Sequence, residues 1–393
     1  MPSGPVGVAC CDRCASRTGH SWRGADASAP DEAGVLATVQ APIARRRLLK
    51  AAVFSSQADP APRGRSTADR LARRPSDAAG HVAAETASDG DGADDASELP
   101  RTFVGTVLDV SPHVLVLSNA GREHRFTITA DAVAWRGTQL EPATLRQNDR
   151  AVVRLHPSGR NVADRIWANI GRVTGVITER SGHQLLVDEG ATRGPQVITL
   201  QRRAVGRIQV RFPTLDPGYL VDIIGVRRGD ELVGMIPATS QPAYPAHRVP
   251  PPASVSGQVT DFVGGHVSGF ISGSATWHEP WDEAPTAVGV AYPALDPEAG
   301  CAEELAGAPR QAYARMPYLA IGSMLRISNN CTGADSLVPV TGCATIARMF
   351  NDRCVTCGTS PRGRIADLTM ASFIALGGEL ERGCFNATIT IGE

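Results

Sequence analysis

The sequence predicts a mainly β chain: two small β-barrels in tandem and then a cysteine-bearing β domain, all behind a long disordered N-terminal region. Three observations carry that expectation. Alternation of apolar and polar residues, broken by Gly, Asn, Asp and Pro, begins at Arg101 and marks half-buried antiparallel strands. The pattern of residues 101–172 restarts over 173–243. Six of the nine cysteines lie beyond residue 300.

A chain of 393 residues exceeds the usual size of one domain, so several folded units are expected. The net charge of -1 provides no overall basic field that would steer the chain toward nucleic acid, and no acidic tail is present. Lys50 is the only lysine, and the excess of arginine and alanine reads as coding bias. No run approaches the roughly 18 apolar residues of a membrane span.

Residues 1–100 are rich in Ala, Ser, Gly, Asp and Arg and end in the acidic "DGDGADDASE". Such a composition buries too little apolar area to offset its ordering entropy, so disorder is expected. Within it, "ARRRLLKAAVFSSQA" (44–58) resembles a twin-arginine export signal, with Ser56-Gln57-Ala58 as a small-residue cleavage site; the alternative is a basic patch in a tail. Cys10, Cys11, Cys14 and His20 have the spacing of soft metal ligands, but no second knuckle or core accompanies them, and incidental thiols are the plainer reading.

The tandem units are read from two echoes. "GTVLDVSPHVLVL" from Gly105 returns as "GVITERSGHQLLVD" from Gly175, and "NDRAVVRLHPSGRNVADRI" from Asn148 as "GYLVDIIGVRRGDELVGMI" from Gly218. Each unit looks like a small OB-like barrel, a fold that implies no function by itself. His113 and His183 fall at matching positions after a strand and are read as turn residues, and Trp135 and Trp167 as core. The proline-rich "SQPAYPAHRVPPPAS" breaks the pattern, and 244–256 is read as a linker.

Residues 257–393 hold short strands, "VSGQVTDFV", "GFISGSATWH", "SMLRISN", "ATIARMF" and "CFNATITIG", with Cys301, Cys331, Cys343, Cys354, Cys357 and Cys384. Six cysteines in a compact β domain suggest up to three disulfides and an oxidising compartment, with the pairing open. The Cys354-x-x-Cys357 pair is followed by the loop "GTSPRG" rather than a helix, which argues against redox catalysis. No second pair or nearby histidine completes a zinc ribbon, and no sequence feature calls for a metal or any other cofactor. After Asp367 and Thr369, the positions Met370, Phe373, Ile374 and Leu376 or Gly377 predict a short amphipathic helix, for which Asp367 is available as cap.

Taken in order, "GSATWH" (273–278), "TAVGVAY" (286–292), "LAIGSMLRISNN" (319–330), "NDRC" (351–354), "RIADLTMASFIAL" (364–376) and "GCFNATITI" resemble the six-stranded double-psi β-barrel of the rare lipoprotein A and expansin families. Barwin-like and papain-inhibitor-like barrels look similar, and "DRCVTCG" is closer to their cysteine-bearing loop. The resemblance implies that Asp352 and Asp367 share a groove and hydrogen-bond sugar hydroxyls, with Asp352 the candidate general acid and Asp367 a second catalytic candidate whose competing role is the helix cap. Trp277 and Tyr318, with Trp281 and Tyr313, are candidate sugar-stacking surfaces, the competing role being core or loop. Members that cleave peptidoglycan carry a histidine where this chain has Met316, so the resemblance favours binding over cleavage, with His278 or Glu279 as the substitute proton donor if cleavage occurs.

The expectation is an exported cell-envelope protein that binds peptidoglycan or another wall polysaccharide, with the tandem barrels as spacers or as a surface for a protein partner. The alternatives are a lytic transglycosylase and a secreted inhibitor of cysteine proteases.

Overall fold

The computed structural model describes residues 101–157, 159, 161–190, 193–241, 243–248, 259–263, 266–280, 286–295, 316–344, 346–350 and 363–391, with backbone alone for 259–263, 266–268, 346 and 348. The N-terminal region, with Cys10, Cys11, Cys14, His20 and the segment 44–58, lies outside them. The described residues form three small closed β-barrels of five, five and six strands.

In the first barrel, β1 (Arg101–Val110), β2 (Val114–Asn119) and β3 (Arg122–Trp135) form an antiparallel meander, and the short β4 (Gln139–Leu140) folds back on the end of β3. β5 (Arg150–Leu155) and β6 (Val162–Ala168) close it, β5 antiparallel to β1 and β6 parallel to β3. The second barrel repeats this plan with β7 (Ile170–Ser181), β8 (Gln184–Asp188), β9 (Pro195–Leu200), β10 (Leu220–Arg228) and β11 (Glu231–Pro237), β9 and β11 being its parallel pair. Helix α1 (Arg202–Arg211) occupies the connection that β4 and a short 3-10 turn fill in the first barrel.

The alternation read from the sequence becomes inward-facing sets. Val107, Leu115, Leu117, Val153 and Ile166 fill the first barrel, and Val173, Ile177, Val187, Ile198 and Ile223 the second, all fully buried. The echoed glycines also have a physical cause. A side chain at Gly105 would crowd the Ser118 carbonyl oxygen, and one at Gly175 would run into that of Asp188, beside the bulge at which each first strand shifts register. His113 and His183 lie exposed in the turns, and Trp135 and Trp167 are buried.

A single residue, Asn169, separates the two barrels. It sits in the left-handed region (φ 51), which asparagine tolerates better than most residues. Its side chain accepts from Arg150 N (2.8 Å) and donates to Asp149 Oδ1 (2.7 Å), while its carbonyl accepts from Arg227 N (2.7 Å), tying the joint to both barrels. The proline-rich segment begins on the second barrel, where Pro245 bridges Tyr219 and Ala246 N donates to Gly218 O.

The third barrel comprises β12 (Val259–Val263), β13 (His266–His278), β14 (Val290–Tyr292), β15 (Met324–Asn329), β16 (Asp335–Cys343), β17 (Arg364–Thr369), α2 (Met370–Ala375) and β18 (Cys384–Ile391). Six strands close in the order β13-β17-β14-β16-β15-β18, and β12 is a hairpin arm on β13. β13 runs parallel to β17 and β14 parallel to β16. Exchanging β13, β14 and β15 with β16, β17 and β18 maps the ring onto itself, the internal two-fold of the double-psi arrangement.

Several local expectations are corrected. "ATIARMF" is not a strand: Ile346–Met349 form a 3-10 turn, and the strand is the preceding β16. Arg364–Thr369 is a strand, so Asp367 lies within β17 and does not cap the helix; Thr369 does, its Oγ1 accepting from Ser372 N. The helix stops at a Schellman turn, in which Gly377 (φ 75) donates to Ile374 O and Gly378 to Phe373 O. α1 has no counterpart in the sequence reading, because its arginine-rich surface leaves only Ala204 and Ile208 buried.

The second and third barrels meet over a buried ionic knot. Asp222 on β10 accepts from Arg172 Nε (2.8 Å) and Nη2 (2.6 Å), from Arg364 Nη2 (2.5 Å), and from the hydroxyls of Thr174 (2.9 Å) and Thr239 (3.1 Å). Arg172 Nη1 also donates to the carbonyls of Trp277 (2.6 Å) and Gly383 (2.9 Å) in the third barrel. Burial alone would raise the Asp222 pKa, but the two guanidinium charges and the hydrogen bonds outweigh it and hold the carboxyl down at about 2. The first barrel is joined to the third through Glu381, which accepts from Arg165 and from Trp167 Nε1.

Two outcomes are expected. Asp222→Ala leaves two arginines buried without their counter-charge, and urea unfolding should show a loss of about 3–5 kcal/mol. A depressed folded-state pKa means that the contribution of Asp222 is complete above its ordinary value near 3.8 and is lost as pH falls toward 2, a decline the variant should lack when unfolding is followed across that window. Separately, Gly175→Ala should cost about 1–3 kcal/mol in the same assay, because the partner strand's backbone must move.

Candidate functional site

The segment Gly273–His278 is the C-terminal half of β13. It pairs with β18 on one edge and β17 on the other, and its residues from Ser274 to His278 are all buried. Thr276 stands in register with Asp367 of β17, and its hydroxyl donates to Asp367 Oδ1 at 2.7 Å. His278, two residues on and so on the same face, brings Nδ1 to 3.9 Å from Asp367 Oδ2. The Asp367 side chain keeps 18% of its surface exposed.

The neighbouring backbone is fastened to the start of α2. Thr369 N donates to Gly289 O (3.1 Å), and Gly289 N donates to Ser372 Oγ (2.9 Å). Asp367 therefore projects from a strand hydrogen-bonded on both edges, one turn of chain before a capped helix, and has little freedom to move. Chemically the arrangement is a carboxylate with one oxygen fixed by a hydroxyl and the other turned toward an imidazole. An ionised carboxylate has acceptor sites for several donors, so further hydroxyl groups can be received at the exposed edge.

The other candidate residues are placed as follows. Trp277 is fully buried in the core, its indole N–H donating to Leu380 O at 2.8 Å and Arg172 lying over its ring, so it offers no face to a sugar. That expectation is corrected: the strand is covered on both sides. Glu279 is committed to the second barrel, accepting from Arg172 N (2.5 Å) and Arg227 Nε (3.1 Å). Met316 is a buried core residue. Tyr318 is 66% exposed, next to Pro317, whose carbonyl accepts from the buried Tyr292 hydroxyl. Burial raises the Tyr292 pKa, keeping that phenol protonated as a donor.

Asp352, Trp281, Tyr313, Cys301, Cys354 and Cys357 lie outside the described residues. No disulfide joins any two of the described Cys331, Cys343 and Cys384, while Cys343 is itself disulfide-bonded. Among the described residues, the structure thus gathers Asp367 and His278 and adds Thr276, which sequence reasoning passed over. The signal was present in the Thr-x-His alternation of "ATWH", which places both residues on one face once β13 is known to be a strand.

The coupling of this cluster can be measured. Thr276→Val strips one carboxylate oxygen of its donor and should cost about 1–3 kcal/mol in thermal or urea unfolding. Combined with Asp367→Asn, the losses should fall short of additivity by at least about 0.5 kcal/mol, as for groups in direct contact.

A search against protein-family models and against curated proteins finds no match to this chain.

Proposed function

We propose that this chain is an exported cell-envelope protein whose third barrel binds wall polysaccharide, with Asp367 as a contact carboxylate. The observation that carries this reading is the rigid, partly exposed Asp367 held by Thr276 and faced by His278. Sugar recognition rests on hydroxyl donors meeting fixed acceptors, and a carboxylate on a strand paired at both edges is such an acceptor. The exposed Tyr318 is available for stacking on a pyranose face. The resemblance of the ordered segments to the rare lipoprotein A and expansin barrels, together with the twin-arginine segment, supports the wall as the place of action, and brings Asp352 in as a second carboxylate.

A cleaving activity is the second reading, favoured by one observation. The imidazole of His278 lies beside Asp367, and an imidazole next to a carboxylate is an arrangement used for general acid–base catalysis.

The test incubates the full-length chain, as wild type, Asp367→Asn, Asp352→Asn and His278→Ala, with peptidoglycan sacculi, and follows pelleted protein and soluble muropeptides by mass spectrometry. Wild type should pellet, and Asp367→Asn, shown to be folded by circular dichroism, should pellet about tenfold more weakly, as loss of a charged hydrogen-bond acceptor predicts. Soluble anhydro-muropeptides from wild type but not from His278→Ala would replace binding with cleavage. Equal pelleting of wild type and Asp367→Asn would remove Asp367 from the site, and papain inhibition without pelleting would favour the protease-inhibitor alternative.

A further inference from the structure

Where β10 and β11 of the second barrel face the β3–β4 corner of the first, a cavity of about 250 Å³ opens beside the Asn169 joint. Five arginines line it, Arg136, Arg146, Arg203, Arg227 and Arg228, and no carboxylate does. Val226 and Met235 give it an apolar wall.

Two of these arginines are neutralised from outside the lining. Arg136 pairs with Asp149 at 3.3 Å, and Arg227 with Glu279 at 3.1 Å. Arg146, Arg203 and Arg228 form no ion pair with any described carboxylate, and the one side-chain bond of Arg203 is to the amide oxygen of Gln201, which also lines the cavity. All three are solvent-exposed, so their like charges gather at the mouth of the cavity, where water hydrates them and an anion can reach them. The contrast with Arg172 and Arg364, each buried against Asp222, is direct.

A second feature points the same way. The ten-residue α1 starts at this cavity with Gln201 as its N-cap, no side-chain capping bond and no acidic residue in its first turn. Its positive end is met by Arg203, the opposite of what a helix N-terminus favours. An anion bound here would answer both the arginines and the helix end.

We infer that this inter-barrel cavity binds a small phosphorylated ligand, its phosphate or pyrophosphate group held by Arg146, Arg203 and Arg228 and its organic part lying on Val226 and Met235. Guanidinium is always charged and matches phosphate oxygens in bidentate fashion. A phosphomonoester carries about -1.5 to -2 charge at neutral pH, closer to the local excess than one carboxylate. The volume suits a small molecule, and a net charge of -1 argues against the extended basic track that a nucleic-acid strand needs.

The experiment titrates the full-length chain with pyrophosphate by isothermal calorimetry, alongside citrate and a single-stranded oligonucleotide. Arg203→Gln/Arg228→Gln is compared with Arg122→Gln/Arg125→Gln, a pair at the other end of β3 with the same change in charge. Wild type should bind pyrophosphate, the cavity pair about tenfold more weakly and the control pair unchanged, with circular dichroism establishing that each is folded. Should the cavity pair fail to fold, Arg146→Gln, on an exposed turn, gives the same reading. Absence of pyrophosphate binding by wild type, equal loss in the control pair, or tighter binding of citrate or oligonucleotide would each overturn the inference.

Discussion

Asp222 is the point through which the second and third barrels are held in one arrangement. A lone buried carboxylate is among the most costly groups a protein can contain, and two guanidinium groups are scarcely better. Together, with the Thr174 and Thr239 hydroxyls filling the remaining acceptor positions, they make a knot in which each member is tolerable only because the others are present. Arg172 comes from the start of the second barrel and Arg364 from a late strand of the third, so the knot links distant parts of the chain. Apolar contact could hold the same surfaces together, but an ionic cluster of fixed geometry admits far fewer relative orientations of the two barrels.

That orientation reaches the candidate site directly. Arg172 donates to the carbonyl of Trp277, whose neighbours on β13 are Thr276 and His278, and Glu279 just beyond them is anchored to Arg172 N and Arg227. The strand that presents the hydroxyl and the imidazole to Asp367 is therefore braced from outside its own barrel. The site's shape depends on the second barrel even though none of its side chains comes from there.

The architecture was largely legible in the sequence, and the reasons are local. Alternation, repeated at matching intervals with Gly105 and Gly175 at equivalent bulges, marked the two five-stranded barrels before any pairing was known. Legibility failed where a strand is buried on both faces. Arg364–Thr369 lacks alternation because it is central in its barrel, and the helix pattern that follows drew Asp367 into the wrong element. Trp277 misled for a related reason: an aromatic beside polar residues looks like a binding surface until both edges and both faces of its strand are covered. The arginine-lined cavity had no sequence signature, since its residues come from both barrels and meet only when Asn169 turns the chain.

The strand order of the third barrel also dictates when that domain can exist. β17 and β18 are its last strands in sequence, yet β17 sits between β13 and β14, and β18 between β13 and β15. During synthesis the first two barrels can close on themselves as soon as β11 has emerged, whereas β13 pairs with none of β14, β15 and β16, so it and the separate β14-β16-β15 ribbon keep exposed edges until β17 and β18 join them. Because its contacts join such distant stretches of chain, the third barrel forms late and all at once.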